Sequence, residues 1–331
     1  MSSMEVNVQQ AQKLLKNIFK TDIVPFLWGP PGIGKSTIVK ELAKEMDWKI
    51  IDLRLSLLNP VDLRGLPVVD KKLKKADWYK PSFLPKSTDT DNGILFLDEI
   101  NLAPQSVQAA AYQLILDKKL GEYEFPKTWR IVAAGNREID KANVFKLSAP
   151  LANRFLHLNV AEDWKIWRSW AKTAGVRSEV IDYIAMHSSV LLQMPDGTQK
   201  AFPSPRSWHF VSDLLDAFDY ETIGTVTDDI RNLIYGSIGE GVGKEFCYYL
   251  DDYDLQNIKA MIQKFYDTGE LKMPDSQNKR FGIIRTVFKD YRDRNITNAQ
   301  FMKFTAKLSP EEKAIVEEMR DKKEKAHEKF I

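Results

Sequence analysis

The run Gly29-Pro30-Pro31-Gly32-Ile33-Gly34-Lys35-Ser36, with Thr37 after it, carries the residue types that a polyphosphate demands. Phosphate oxygens bear several negative charges, and a fold holds them by turning successive backbone N–H groups toward them at a helix N-terminus. Glycines let the backbone approach, Lys35 reaches the β and γ phosphates, and the Ser36 hydroxyl is placed to bind the Mg²⁺ that bridges them. Further along, the apolar run Ile94-Leu95-Phe96-Leu97 ends in Asp98-Glu99. That puts both carboxylates at the C-terminal edge of a buried strand, where ligands bind in open α/β sheets. Asp98 suits holding the Mg²⁺ through water, and Glu99 suits orienting or deprotonating an attacking water. After the next apolar run, Arg130-Ile131-Val132-Ala133-Ala134, comes Gly135-Asn136-Arg137. The neutral Asn136 amide can hydrogen-bond the water or the γ phosphate there without competing with the metal.

Such side chains need a rigid frame. Ile23 to Trp28, Trp48 to Leu53, Ile94 to Leu97, Arg130 to Ala134 and Phe155 to Val160 read as buried strands. Helical patterns lie between them: Ile38, Val39, Leu42, Ala43 and Met46 form one stripe, and Val107, Ala110, Ala111, Leu114 and Ile115 another within Pro104 to Leu116, with Pro104 suited to the first turn. Strands alternating with helices predict an α/β fold with a parallel sheet covered on both faces. Beyond residue 160 the strand signals fade and helical patterns rich in Trp, Tyr and Phe take over. The expected division is therefore a nucleotide-binding domain over 1–160, a helical domain over 161–250 and a helical extension over 251–331. Ser309-Pro310-Glu311-Glu312 has the form of a capping box opening a final charged helix.

The bulk composition narrows the class. A chain of 331 residues with 44% hydrophobic residues can bury a sizeable core. Met1 to Gln10 is polar, without a basic start followed by an apolar run, and no segment reads as a membrane span; a cytoplasmic protein without membrane contact is the expectation. A single cysteine, Cys247, excludes an internal disulfide and a cysteine zinc cluster, and the four histidines are scattered. The net charge of +2 argues against strong global attraction to nucleic acid.

Two arginines gain meaning from their order. Ala149-Pro150-Leu151-Ala152-Asn153-Arg154-Phe155 leads into the last strand, setting Arg154 at the sheet edge, and Pro203-Ser204-Pro205-Arg206-Ser207-Trp208 opens a helix with Arg206. Together with the phosphate loop, the Asp-Glu strand and the strand ending in Asn136, this order resembles the AAA+ ATPases, and within them the MoxR-type group, over roughly residues 8 to 250. Asp62-Leu63-Arg64-Gly65-Leu66-Pro67, then Trp78 and Phe83-Leu84-Pro85, match segments typical of that group. The resemblance implies ATP and Mg²⁺ as cofactors, with residues 29 to 37 binding nucleotide and Ser36 and Asp98 the metal. It further implies Glu99 as catalytic carboxylate, Asn136 as sensor 1, Arg154 as the arginine finger donated to an adjacent subunit, with Arg137 as rival, and Arg206 as sensor 2. The 161–250 region would be the α-helical lid. The group forms homo-oligomeric rings, usually hexamers, that remodel protein partners, often one carrying a von Willebrand factor A domain. A nucleic-acid motor or loader and a chelatase-like subunit are the rival readings.

Other features invite a functional reading and support a plainer one. Gly236 to Lys244 looks like a second phosphate loop, but no apolar strand precedes it and Glu245 stands where a metal-binding hydroxyl is needed; a glycine-rich helix junction is expected. Lys71, Lys72, Lys74, Lys75, Lys80 and Lys86 interleave with Trp78, Tyr79 and Phe83, a mixture that suits a solvated hairpin, a protein-contacting pore loop or nucleic acid. The alternating charges of Arg320 to Lys329 suit a solvated helical face. His157, His187 and His209 read as packed or surface residues.

Overall fold

The computed structural model describes residues 5–70, 75–79, 81–120, 123–140, 145–195, 199–220, 226–253 and 255–317. Its strands are β1 (Glu5–Val6), β2 (Val24–Trp28), β3 (Lys49–Arg54), β4 (Leu66–Asp70), β5 (Lys75–Tyr79), β6 (Gly93–Asp98), β7 (Lys119–Leu120), β8 (Tyr123–Glu124), β9 (Trp129–Gly135) and β10 (Phe155–Val160). A six-stranded sheet runs in the order β1-β10-β2-β9-β6-β3, every neighbouring pair parallel. The five strands read from sequence are all in it, with ends moved by a residue or so. The sixth, β1, is two residues long, too short to show an alternation.

Continuous apolar runs become central strands because both faces of the sheet are covered. On β6, Leu95 and Leu97 join Phe26, Ile131 and Ala133 in a core beneath α3 (Pro60–Arg64) and α4 (Gln105–Asp117). Ile94 and Phe96 point the other way and join Leu27, Val132 and Leu158 beneath α1 (Val8–Ile18) and α2 (Lys35–Glu45). Pro104 is the N-cap of α4 rather than part of its first turn, its ψ of 150° being extended. Two antiparallel hairpins, β4-β5 and β7-β8, stand apart from the main sheet. In β4 and the segment before it, Leu57, Val61, Leu66, Val68 and Val69 expose apolar side chains. Among the lysines of that region, Lys71, Lys72, Lys74 and Lys80 lie outside the described residues.

The rest is helical: α5 (Ala149–Ala152), α6 (Trp164–Thr173), α7 (Ser178–Met186), α8 (Pro205–Ala217), α9 (Asp228–Ile238), α10 (Glu240–Tyr253), α11 (Leu255–Thr268), α12 (Gln277–Arg292) and α13 (Asn298–Thr305). The chain falls into two compact units, 1–210 and 211–331. The stretch from Gly236 is the expected helix junction: α9 ends at Ile238 and its C-cap Gly239, with a φ of 84°, turns the chain into α10. Ser309 and Glu312 form the expected reciprocal cap, Glu312 N to Ser309 Oγ at 3.3 Å and Ser309 N to Glu312 Oε2 at 2.8 Å, at the start of a helix over 310–317. The charged run 320–329 lies outside the described residues. No described helix is long and apolar enough to cross a membrane.

Candidate active site

The phosphate loop occupies the bend between β2 and α2. Gly34 caps α2 at a φ of 103°, a conformation that side chains oppose, and a Cβ on Gly32 would come within 2.9 Å of Ser204 Oγ. Loop glycines are thus required by the turn and by the close approach of the segment that starts α8. Ser204 and Ser207 cap that helix reciprocally, at 2.8 and 3.2 Å, which fixes Arg206 in its first turn.

Lys35 is buried, and its three donors are all used: Nζ lies 2.7 Å from Gly29 O, 3.1 Å from Pro30 O and 2.9 Å from Asn136 Oδ1. Burial pulls its pKa down to about 8, partly offset by the carboxylates of Asp98 and Asp140 and reinforced by the nearby charge of Arg206. Ser36 Oγ donates to Asp98 Oδ2 at 2.8 Å. This hydroxyl and carboxylate are hard oxygen donors side by side, a fit for Mg²⁺, which keeps several waters and takes only one or two protein groups beside phosphate. No group of three or more His, Cys, Asp or Glu able to hold a metal occurs among the described residues.

Glu99 follows β6 in the left-handed region, at a φ of 57°. That conformation costs a non-glycine residue about 1–2 kcal/mol. It is held by Glu99 N donating to Asp98 Oδ1 at 2.9 Å and by a short hydrogen bond from Ser56 Oγ to the Glu99 carboxylate. Buried Asn101 clamps the next strand end: its Nδ2 donates to Asn136 O at 2.7 Å and its Oδ1 accepts from Asn136 N at 3.2 Å. Ser56 and Asn101 were not singled out by sequence reasoning. Ser56 sits in an ordinary Leu-Ser-Leu turn, and the only signal for Asn101 is its closeness to the carboxylate pair.

Pro31, Gly32, Gly34, Lys35, Ser36 and Thr37 line one cavity with Asp98, Glu99, Gly135, Asn136 and Arg206. Gly29 and Pro30 contribute only carbonyls to Lys35, and Ile33 is buried in the core. Arg154 does not join them. β1 pairs with β10 only at Asn159 and Val160, away from Arg154. The register pairs Phe155 with Val24, so Arg154 lies at the end of the sheet opposite the phosphate loop. It is exposed, whereas Arg137 is committed within the chain, to Asp140 at 2.9 Å and Glu5 at 3.5 Å.

Residues 25–155 match the family model of the AAA domain of the dynein-related subfamily. Among known proteins, the chain is 25% identical over 248 residues to the Holliday junction branch migration complex subunit RuvB of Phytoplasma mali, covering 72% of this chain and 65% of that one. It is 32% identical over 148 residues to a protein described as a replication factor C small subunit of Acanthamoeba polyphaga mimivirus, covering 44% of this chain and 41% of that protein. The chain thus spans less than two thirds of the length of either relative. Among solved structures, the RuvB branch migration motor of Thermotoga maritima superposes with a TM-score of 0.43 at 20% identity, over 78% of this chain and 76% of that one. With the parallel sheet, the phosphate loop and the two carboxylates after β6 in place, residues 25–155 match an AAA domain in sequence and carry the motif residues of a P-loop ATPase.

Proposed function

We propose that this chain is a MoxR-type ring ATPase that uses ATP hydrolysis to remodel a protein partner, one with a von Willebrand factor A domain being the leading candidate. The observation that carries the ATPase part is the convergence of Lys35, Ser36, Asp98, Glu99 and Asn136 on one cavity. In this reading residues 29 to 37 hold the phosphates, and Ser36 and Asp98 would hold Mg²⁺, which would supply neutralisation of the phosphate charge. Glu99 orients and deprotonates the attacking water, Asn136 reports on the γ phosphate, and Arg206 acts as sensor 2 from the start of α8. Arg154 serves the nucleotide of a neighbouring subunit in a homo-oligomeric ring, taken as a hexamer. Its distance from its own cavity and the internal pairing of Arg137 support that assignment. Functionally we divide the chain into a nucleotide domain over 1–160, a helical lid over 161–250 and a helical extension over 251–331, in the cytoplasm.

The protein partner is supported by the Asp62 to Pro67 segment and by the apolar side chains exposed around β4. Exposed Leu66, Val68 and Val69 suit burial against a protein surface and offer nothing to a phosphate backbone. The second reading, a nucleic-acid motor, draws on the RuvB and replication factor C relatives and on the lysines of the same hairpin. Contacts to phosphate release counterions and weaken steeply with salt. The ATPase rate is therefore to be followed while titrating single- and double-stranded DNA, RNA and a von Willebrand A-domain protein at low and physiological salt. Stimulation by protein at both salts is expected. Strong stimulation by nucleic acid, lost when Lys71, Lys72, Lys74 and Lys75 are changed to Ser, would establish the motor instead.

A further inference from the structure

His157 spends both ring nitrogens. Trp28 Nε1 donates to His157 Nδ1 at 2.7 Å, and His157 Nε2 lies 2.9 Å from Ala152 O. The indole is a donor only and the carbonyl an acceptor only, so Nδ1 accepts from Trp28 and Nε2 donates to Ala152 O. A residue that merely filled space beside Phe26 and Phe155 would need neither nitrogen.

What the two bonds connect is informative. Trp28 ends β2 and immediately precedes Gly29, whose carbonyl accepts from Lys35 at 2.7 Å; its indole stacks on Phe26 with ring centroids 4.1 Å apart. Ala152 ends α5, a four-residue helix too short to hold itself, and its carbonyl is one that a helix C-terminus leaves without a partner. Arg154 follows two residues later, tied back by its own N–H to Leu151 O at 3.1 Å. The side chain of His157 thus links the residue that leads into the phosphate loop to the short helix that precedes Arg154.

We propose that His157 is a positioning residue that couples the phosphate loop of one subunit to the Arg154 it presents to the next, through the hydrogen bonds from Trp28 and to Ala152. The inference rests on the reading of Arg154 as the trans-acting arginine. It makes His157 a link by which nucleotide status at one site adjusts the arginine serving another.

The test measures steady-state ATP hydrolysis and nucleotide affinity for assembled His157→Phe, which keeps the ring and loses both bonds, and Trp28→Phe, which loses only the indole donor. Each is made in the parent and in the Arg154→Ala background. Misplacing a catalytic group by about 1 Å can cost up to ~10²-fold, so kcat is expected to fall by about tenfold in His157→Phe, and in the same direction in Trp28→Phe, with KM within about twofold. In the Arg154→Ala background neither change should lower kcat further. Parent-like turnover in both single variants while Arg154→Ala is impaired, or an equal further loss in the Arg154→Ala background, overturns the coupling alone. Parent-like turnover of Arg154→Ala itself overturns the reading of that arginine, and the coupling with it. If His157→Phe does not assemble, Trp28→Phe decides by the same criteria.

Discussion

Ser56 donates its hydroxyl proton to the carboxylate of Glu99, joining the turn after β3 to the end of β6, where Arg54 and Asp98 are already paired in register. A hydrogen bond to a charged group is worth about 1.5–3 kcal/mol, and a carboxylate so held must give it up to turn fully toward a water. Ser56→Ala should therefore raise unstimulated hydrolysis, by up to about tenfold for ~1.4 kcal/mol released. Glu99→Gln should lower it by orders of magnitude while ATP still binds. Steady-state rates with parallel nucleotide binding check both; a Glu99→Gln protein that hydrolyses like the parent would remove Glu99 from its role.

Lys35 sets a pH dependence of nucleotide affinity. Free of ligand it titrates near 8 instead of 10.5, chiefly because it is buried, and phosphates would hold it protonated to higher pH. ATP affinity should be flat below pH 8 and then weaken by up to about tenfold per unit as pH rises, with proton uptake on binding. Titration calorimetry in buffers of different ionisation enthalpy reads both. The sign for folding is opposite: between 8 and 10.5 the unfolded chain holds more protons at this residue, so its unfavourable contribution is largest below 8 and is relieved as pH rises through that window. Lys35→Ala should lose nucleotide binding outright.

Arg154→Ala should keep nucleotide binding and lose turnover, by about 10³ to 10⁵ if it matches arginine fingers in related phosphoryl transfers. The defect should act between subunits. Mixed with Glu99→Gln protomers, it should regain activity, because some interfaces then combine an intact Glu99 with an intact Arg154. Mixed rings verified by mass and still inactive would count against Arg154 and return attention to Arg137.

Asn101→Ala should destabilise the domain and slow hydrolysis together. It leaves the N–H and C=O of Asn136 unpaired at a partly buried site, at a cost of about 1–3 kcal/mol. A fall in Tm of about 2–4 °C per kcal/mol is expected by calorimetry without nucleotide. A variant with parent-like Tm and rate would show that the clamp is idle.

What could be read from sequence was whatever a local pattern encodes. The strands of the central sheet announce themselves as apolar runs because both faces are buried, and the loop from Gly29 to Thr37 because its turn admits few residues. The false loop at Gly236 could be set aside because it lacks a strand before it, and it is indeed a helix junction. Ser56, Asn101 and His157 were not legible as functional. Each is a common residue type whose partner lies far along the chain, Ser56 with Glu99, Asn101 with Asn136, His157 with Trp28, and only the pairing of strands brings them within bonding distance.

The strand order has a consequence for how the chain is made. β2, which carries the phosphate loop, lies between β9 and β10, so its Trp28 pairs with Gly135 on one side and Asn159 on the other. During synthesis the loop emerges before either neighbour of the strand beneath it, β9 ending at Gly135 and β10 only at Val160. Long-range parallel pairing of this kind folds slowly, and in the interval the run Ile94-Leu95-Phe96-Leu97 of β6 is a sticky apolar segment. Truncations ending short of β10 should therefore aggregate, and nucleotide, having no seat until the sheet closes, should not rescue them.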